Sequence, residues 1–536
     1  MSQDARYDEE QSTLYRAGVL NFNYFDTSDS SPKNVYKDIL TPEEIKTYKV
    51  VPIMVDPNHI QFGILTTTSS QTINNLKQKF VDQIVTFSII SETGFKEYLN
   101  IYDPPVKVEY KDISINSTEN RGLIDEISSI LEKVSANDML AYLVLQAHKL
   151  NASDIHIESK KDDVLIRFRI DGVLHPIARL SYDKYRILIS AIASSGNIST
   201  SSREAQQGHI SQQVKMEDGS EVDVNVRLET IQTVNSMDVV MRLFNMNTTM
   251  YNLDKLGLSE IERKNVDEII SKPTGLVMVV GPTGSGKTTT LYSMINALAN
   301  DQRKIITIED PVEYQFDNIT QISITTDLSS TSQIGYADNI KSILRLDPDI
   351  VMVGEIRDGE TAKLALQAAL TGHLVLTTFH ASNAAAALTR LYDIIGQNPL
   401  FVSSIRLVMA QRLVRELDSD SKEIYNPSES ETKMISDVIN SLPENINRPD
   451  INNINVYKAK PTEQNPFGYS GQLAIREQFL MTENITKLLN DPNHSPTTIE
   501  IEEAAHQDGM RTMLQDAILK VIDGRTTLEE VYRVIG

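Results

Sequence analysis

Leu276-Val277-Met278-Val279-Val280-Gly281-Pro282-Thr283-Gly284-Ser285-Gly286-Lys287-Thr288 decides how this chain is read. Five apolar residues run straight into a turn carrying three glycines. Thr289, Thr290, Leu291 and Tyr292 then open a helix. A buried strand, a glycine-rich turn and a helix, in that order, are the context a phosphate-binding loop requires. Glycines at 281, 284 and 286 let the backbone curl so that successive N–H groups face phosphate oxygens. The helix N-terminus adds partial positive charge. The cradle therefore comprises Gly281, Pro282, Thr283, Gly284, Ser285, Gly286, Lys287, Thr288 and Thr289. In it Lys287 reaches the β- and γ-phosphates and the Thr288 hydroxyl ligates Mg²⁺. The expected ligands are ATP and Mg²⁺.

Working outward, three further apolar strands end in polar residues. Lys304–Ile308 ends at Glu309-Asp310-Pro311, Ile350–Val353 at Gly354-Glu355-Ile356-Arg357-Asp358, and Leu374–Thr378 at Phe379-His380. Strands alternating with helices predict an α/β domain with a parallel sheet covered on both faces. The carboxyl ends of its strands are where ligands bind. Hydrolysis of a β–γ bond needs a cradle, a metal and an oriented water. Glu355 is the expected residue for the water, and for the metal through a water. Gly354 stands where the second nucleotide motif usually carries aspartate, so metal ligation is expected to be shared with carboxylates at Glu309 or Asp310. His380 is expected to sense the γ-phosphate or to bond a catalytic carboxylate. His373 lies seven residues earlier, too far along a strand for the two to be adjacent zinc ligands by themselves. Arginines from a neighbouring domain or subunit often stabilise transition-state charge. Arg227 and Arg242, at strand ends ahead of the nucleotide domain, are the candidates.

With 536 residues the chain exceeds a single core. No run approaches the roughly 18 apolar residues of a membrane span. Met1–Glu10 is acidic and polar and does not read as a secretory signal, so the expected location is the cytoplasm. A formal charge of −22 repels a nucleic-acid backbone and argues against a nucleic-acid partner. There is no cysteine, which leaves neither disulfide nor thiolate metal site.

In chain order, 1–14 reads as a flexible tail and 15–105 as a small α/β docking domain. Its strands are Val50–Val55, Ile60–Leu65 and Ile84–Ile90, and its helix is Ser70–Phe80. A linker over 106–136 enters a helix, Leu123–Val134. Residues 137–248 form an α+β domain with a helix over Asp138–Leu150. Its alternating strands are Ser153–Glu158, Val164–Ile170, Ile210–Val214, Val222–Arg227 and Val239–Phe244. The nucleotide domain covers 249–417, with a helix over Ser259–Ser271. A further segment, 418–475, contains a helix over Glu429–Leu442, and 476–536 is read as a C-terminal helical region.

Several stretches together resemble one family, the secretion-superfamily ATPases of type II secretion and type IV pilus assembly. They are Ser153–Glu158, Arg167–Leu174, the phosphate loop, Ile308–Tyr314, Arg345–Asp358, Thr371–His380, Ala410–Leu417 and the tail from Gly509 to Val531. The resemblance implies a P-loop, RecA-like ATPase domain preceded by a PAS-like α+β domain and a small N-terminal domain. It implies a cytoplasmic homohexamer that docks on an inner-membrane platform protein of the pilus or secretion machinery, and so meets the membrane only indirectly. It also implies that 137–248 closes over the nucleotide. The chain departs from the family in several places, including a divergent stretch from Gly196 to Gly208. The family's four-cysteine zinc module is replaced by cysteine-free 418–475, so zinc is not expected; the segment is expected to fold by apolar packing or to be partly disordered. A carboxylate site at Asp418 and Asp420 is the weaker alternative. Gln472 replaces an arginine, and Ala381-Ser382-Asn383 replaces Thr-Asn-Asp after His380. Rival readings are a pilus-retraction ATPase, a nucleic-acid translocase, and a nucleotide-bound scaffold with little turnover.

Overall fold

The computed structural model describes residues 3–28, 33–102, 120–215, 221–244, 251–324, 335–396, 398–450, 454–462, 465 and 467–536. The chain divides into two compact units, 1–109 and 110–536. The expected linker residues 106–119 and the Asp218-Gly219 turn lie outside the described residues.

The first unit runs α1 (Gln3–Leu20), β1 (Asn23–Tyr24), α2 (Pro42–Tyr48), β2 (Val50–Asp56), β3 (His59–Ile64), α3 (Ser70–Lys79), β4 (Ile84–Ile89) and α4 (Glu92–Tyr102). The sheet order is β1-β4-β3-β2. Ile60, Phe62 and Ile64 of β3 pack in its core with Leu76 and Tyr98. The expectation of a flexible tail over 1–14 is corrected, since the chain is helical from Gln3. The helix has no apolar stripe to announce it. It is held instead by polar partners around Glu10, which is 3% exposed. That carboxylate accepts from Tyr24 Oη, Thr27 Oγ1 and Ser91 Oγ, each at 2.7 Å, and pairs with Arg6 at 3.1 Å. Polarity in sequence is thus a poor guide to flexibility where every buried polar group finds a partner.

The second unit opens with α5 (Asn120–Leu131), α6 (Ala136–Lys149), β5 (Asp154–Ser159), β6 (Val164–Ile170), β7 (Val173–Leu180), α7 (Tyr182–Gly196), β8 (Gln206–Lys215), β9 (Glu221–Gln232) and β10 (Met237–Phe244). The six strands form an antiparallel sheet in the order β7-β6-β5-β10-β9-β8. Alternation in β6 buries Val164, Ile166, Phe168 and Ile170 and turns Arg167 and Arg169 to the other face.

The chain continues through α8 (Glu260–Ile270), β11 (Gly275–Val280), α9 (Lys287–Leu298), β12 (Ile305–Glu309), β13 (Thr320–Ser323), α10 (Tyr336–Ile343), β14 (Ile350–Val353), α11 (Gly359–Leu370), β15 (Leu374–Phe379), α12 (Ala384–Ile395), α13 (Pro399–Ser404) and β16 (Ile405–Leu417). Then come β17 (Lys422–Tyr425), α14 (Glu429–Asn440), β18 (Val456–Ala459), β19 (Tyr469–Leu480), α15 (Glu483–Leu489), α16 (Thr498–Gln507), α17 (Met513–Ile522) and α18 (Leu528–Ile535). A seven-stranded sheet has the order β13-β12-β14-β15-β11-β16-β19. It is parallel except for β19, which runs antiparallel to β16. Every residue of β11 is buried. Leu276, Met278 and Val280 enter one core, Val277 and Val279 the other. That two-sided burial explains an unbroken apolar run rather than an alternating one.

The edge expected at 475/476 is corrected. Residues 476–480 are the second half of β19, and the helices begin only at Glu483. Buried polar residues hide this strand from a hydropathy reading. Arg476 is 1% exposed. Its N–H donates to Asp516 Oδ2 at 2.7 Å and its guanidinium reaches the Gly257 carbonyl at 3.4 Å.

In the cysteine-free segment, Ile435, Ile439, Leu442 and Val456 are buried in the large core, and β17 pairs with β18. Its two ends are tied by hydrogen bonds. Asn465 Nδ2 donates to Asp418 Oδ2 and to the Tyr469 carbonyl, both at 3.0 Å. Ser421 Oγ donates to Asp418 at 2.8 Å. The Ser421 hydroxyl, with the Asp420 N–H, holds the Asp418 carboxyl below its ordinary range. Among the described residues, no group of three His, Asp or Glu side chains is placed to hold a metal. Asn465→Ala is expected to cost about 1–2 kcal/mol and to lower the melting midpoint by a few degrees. A chelator is expected to leave the parent's melting curve unchanged. Calorimetry checks both, and a chelator-induced drop would show that a metal, not this amide, closes the segment.

Candidate active site

The loop after β11 is shaped before any ligand is considered. Gly281 and Gly286 have φ of 153° and 82°, values that side chains rarely adopt. A Cβ on Gly281 would lie 2.5 Å from both the Gln411 carbonyl and Ser285 Oγ. α9 starts at Lys287 with no capping side chain, so its first amides have no side-chain acceptor. Lys287 Nζ donates to the carbonyls of Gly281 and Pro282, each at 2.9 Å. Burial pushes its pKa down, and the Glu355 carboxylate pulls it back up. Thr288 and Thr289 are half-buried on the first helical turn, while Pro282, Thr283 and Gly284 are exposed.

In sequence Gln411 sits within Ala410–Leu417 and carries no signal of a role. The structure makes it the brace of the loop. Gln411 is 1% exposed. Its Nε2 donates to the Ser285 carbonyl at 2.7 Å, and its Oε1 accepts from Thr290 Oγ1 at 2.9 Å. The Ser285 hydroxyl is buried without a partner. A cradle that excludes side chains, a lysine resting on backbone carbonyls and an orphaned hydroxyl together fit a phosphate group.

The strand ends converge as expected at Glu355. His380 Nε2 lies 3.3 Å from Glu355 Oε2. Arg357 ion-pairs with Glu355 and reaches Asp310 at 3.4 Å. Lys287, Glu355, His380, Arg357 and Asp310 therefore form one polar cluster at the carboxyl ends of β11, β12, β14 and β15. Gly354 is closely packed. A Cβ there would meet Tyr336 Oη at 3.0 Å and the Ile308 carbonyl at 3.1 Å. His373 sits at the far end of β15, with Nδ1 2.9 Å from the Ala368 carbonyl. The departure at Asn383 has a local use, since its side chain caps α12 by accepting from Ala386 N at 2.7 Å. Asparagine and aspartate cap equally well.

Glu309 faces elsewhere. It is 3% exposed and accepts from Tyr292 Oη, Thr307 Oγ1 and Gln321 Nε2. Burial pushes its carboxyl pKa up, against the pull of the three donors. Its described contacts are with α9, β12 and β13 rather than with Lys287 or Glu355.

Arg227 and Arg242 are direct cross-strand neighbours of β9 and β10, so Arg227 lies mid-strand rather than at a strand end. The same rung contains Arg169, Asp154 and His209. Arg242 Nε is 3.2 Å from Asp154 Oδ1, and Arg227 donates to Gln207 Oε1 at 3.1 Å. Like charges directly opposite each other are unfavourable. Both arginines lie close enough to pull down the carboxyl of Glu313, which crowding by protein and the nearby Glu309 push up. Glu313 is exposed, in the segment that follows β12. It lies within Ile308–Tyr314 but carries no residue-level signal in sequence. Gln411→Leu is expected to weaken ATP binding about tenfold, the value of a hydrogen bond that preshapes the loop. Titration with a fluorescent ATP analogue checks this, and unchanged affinity would show that the loop keeps its shape without the carboxamide.

Comparison with known proteins agrees with this geometry. The family described as "Type II/IV secretion system protein" matches residues 130–533. Type II secretion system protein E of Xanthomonas campestris is 37% identical over 440 residues, covering 80% of this chain and 71% of that protein. The type IV pilus assembly ATPase TfpB of Acinetobacter baylyi is 30% identical over 516 residues, covering 94% and 84%. Among solved structures, the Legionella pneumophila ATPase DotB has a TM-score of 0.54 at 24% identity, over 74% of this chain and 95% of that one, a likeness of fold. The phosphate loop, the ordered strand ends and these matches place the chain in the type II/IV secretion system protein family.

Proposed function

We propose that this chain is an ATPase that converts ATP hydrolysis into mechanical work for type IV pilus assembly or type II secretion. The observation that carries the reading is the convergence of Glu355, His380 and Lys287 beside a preshaped phosphate loop. Relatives named type II secretion system protein E and type IV pilus assembly ATPase support the same activity. In this reading the motor is a cytoplasmic homohexamer that acts through an inner-membrane platform protein. No helix among the described residues is long and apolar enough to cross a membrane.

The chemistry follows from residues already placed. Lys287 exchanges the carbonyls of Gly281 and Pro282 for phosphate oxygens. Glu355, held between Arg357 and His380, orients the attacking water. Arg227 and Arg242 supply positive charge where it develops in the transition state, and the phosphates relieve their mutual repulsion. Mg²⁺, when bound, neutralises phosphate charge; the Thr288 hydroxyl, with Glu355 through a water, would hold it. Asp310 borders the site through Arg357.

Phosphate-release assays test the assignment. Lys287→Ala is expected to abolish turnover together with ATP affinity. Glu355→Gln is expected to retain ATP but to hydrolyse it at least about a hundredfold more slowly. Normal turnover by Lys287→Ala would remove the site from this loop, and normal turnover by Glu355→Gln would remove the water-orienting role from Glu355.

A further inference from the structure

The ring of Tyr292 is fully buried on α9, five residues after Lys287, and nothing above gives it a role in the reaction. Its hydroxyl is a junction. It donates to Glu309 Oε2 and accepts the backbone N–H of Glu313 at 3.2 Å. Those two bonds tie the phosphate-loop helix to the segment that follows β12. Gln321 of β13 completes the arrangement. Its Nε2 donates to Glu309 Oε1 at 3.1 Å and to the Tyr314 carbonyl at 2.9 Å, and its Oε1 accepts from Phe316 N at 2.8 Å. Segment 309–316 is therefore wrapped around one phenol and one carboxamide.

The other side of the ring meets the connection from the antiparallel domain. Tyr251 lies edge-on to Tyr292 with centroids 5.1 Å apart, and Phe316 does the same at 5.2 Å. Tyr251 precedes α8 by a few residues, and its carbonyl accepts from Asn296 Nδ2 of α9 at 2.8 Å. Glu313, whose N–H reaches the phenol, is the carboxylate within the field of Arg227 and Arg242. Tyr292 thus touches both the Tyr251 ring and the Glu313 backbone.

We propose that Tyr292 is a positioning residue which, through Glu309 and the Glu313 amide, sets the 309–316 segment against the phosphate-loop helix and links it to the arginine-bearing domain. The proposal rests on the hydrolase reading of the same site and assigns Tyr292 no contact with the nucleotide. A buried carboxylate needs donors to stay charged. Glu309 has three of them: Tyr292, Thr307 and Gln321. The titratable groups that sense Glu309 from adjoining elements are Glu313, Tyr251 and Tyr336.

The test is Tyr292→Phe, which removes the hydroxyl and keeps the ring. KM for ATP is expected to stay within about twofold of the parent, since the loop is untouched, while kcat falls about tenfold. In a Glu309→Gln background the same substitution is expected to add nothing further. Hydrogen exchange gives a readout that needs no turnover: amides in 312–316 exchange faster in Tyr292→Phe, and those in 283–289 do not. Unchanged kcat, an additive effect in the Glu309→Gln background, or unchanged exchange in 312–316 would each overturn the proposal. A parent protein without ATP hydrolysis but with the predicted exchange pattern would sink the hydrolase reading and leave the positioning role standing.

Discussion

The Gln411 carboxamide, on the last parallel strand of the sheet, spans the phosphate loop from beneath, donating to the Ser285 carbonyl and accepting from Thr290. The loop's backbone can then take its positive-φ turn against a fixed wall rather than against solvent. A buried carboxamide with both ends satisfied tolerates little displacement, because any shift strands a donor or an acceptor in a dry interior. The strand bearing Gln411 is in turn clamped by β19, whose buried Arg476 and Glu477 reach α17. β19 and α17 thereby support the strand that braces the phosphate loop.

Around that support the site divides by solvent access. Glu355, Arg357 and His380 form a partly exposed charged group, open to a ligand. Glu309, Tyr292, Thr307 and Gln321 form a closed one, fully occupied by protein partners. The two groups issue from neighbouring strands and are separated by little more than Gly354, whose missing side chain lets Tyr336 and the β12 backbone approach. The rung of arginines across β10 and β9 is a third element, paired within its own domain with Asp154 and Glu229 and close enough to lower the carboxyl pKa of Glu313.

Much of this was legible in the sequence for a physical reason. A parallel strand buried on both faces must be apolar throughout, so Leu276–Val280 and the strands ending at Glu309, Glu355 and His380 declared themselves. Alternation in Val164–Ile170 did the same for a half-buried strand. What escaped was polar and buried. α1 hides its order behind Glu10, β19 hides its strand behind Arg476, Glu477 and Gln478, and Gln411 reads as an ordinary surface residue. Hydropathy registers what a side chain costs to bury, and says nothing of the partner that offsets the cost. Glu309 shows the converse error: its place at a strand end is right, but only three-dimensional partners reveal that its oxygens are already taken.

The central claim is that the antiparallel domain completes the site by bringing Arg227 and Arg242 to the phosphates. Single-turnover hydrolysis by the Arg227→Ala/Arg242→Ala double variant tests it most directly. The account predicts ATP affinity within a few-fold of the parent and a hydrolysis rate at least about a hundredfold lower, the scale on which arginines act in phosphoryl transfer. Hydrolysis at the parental rate with ATP bound would contradict it.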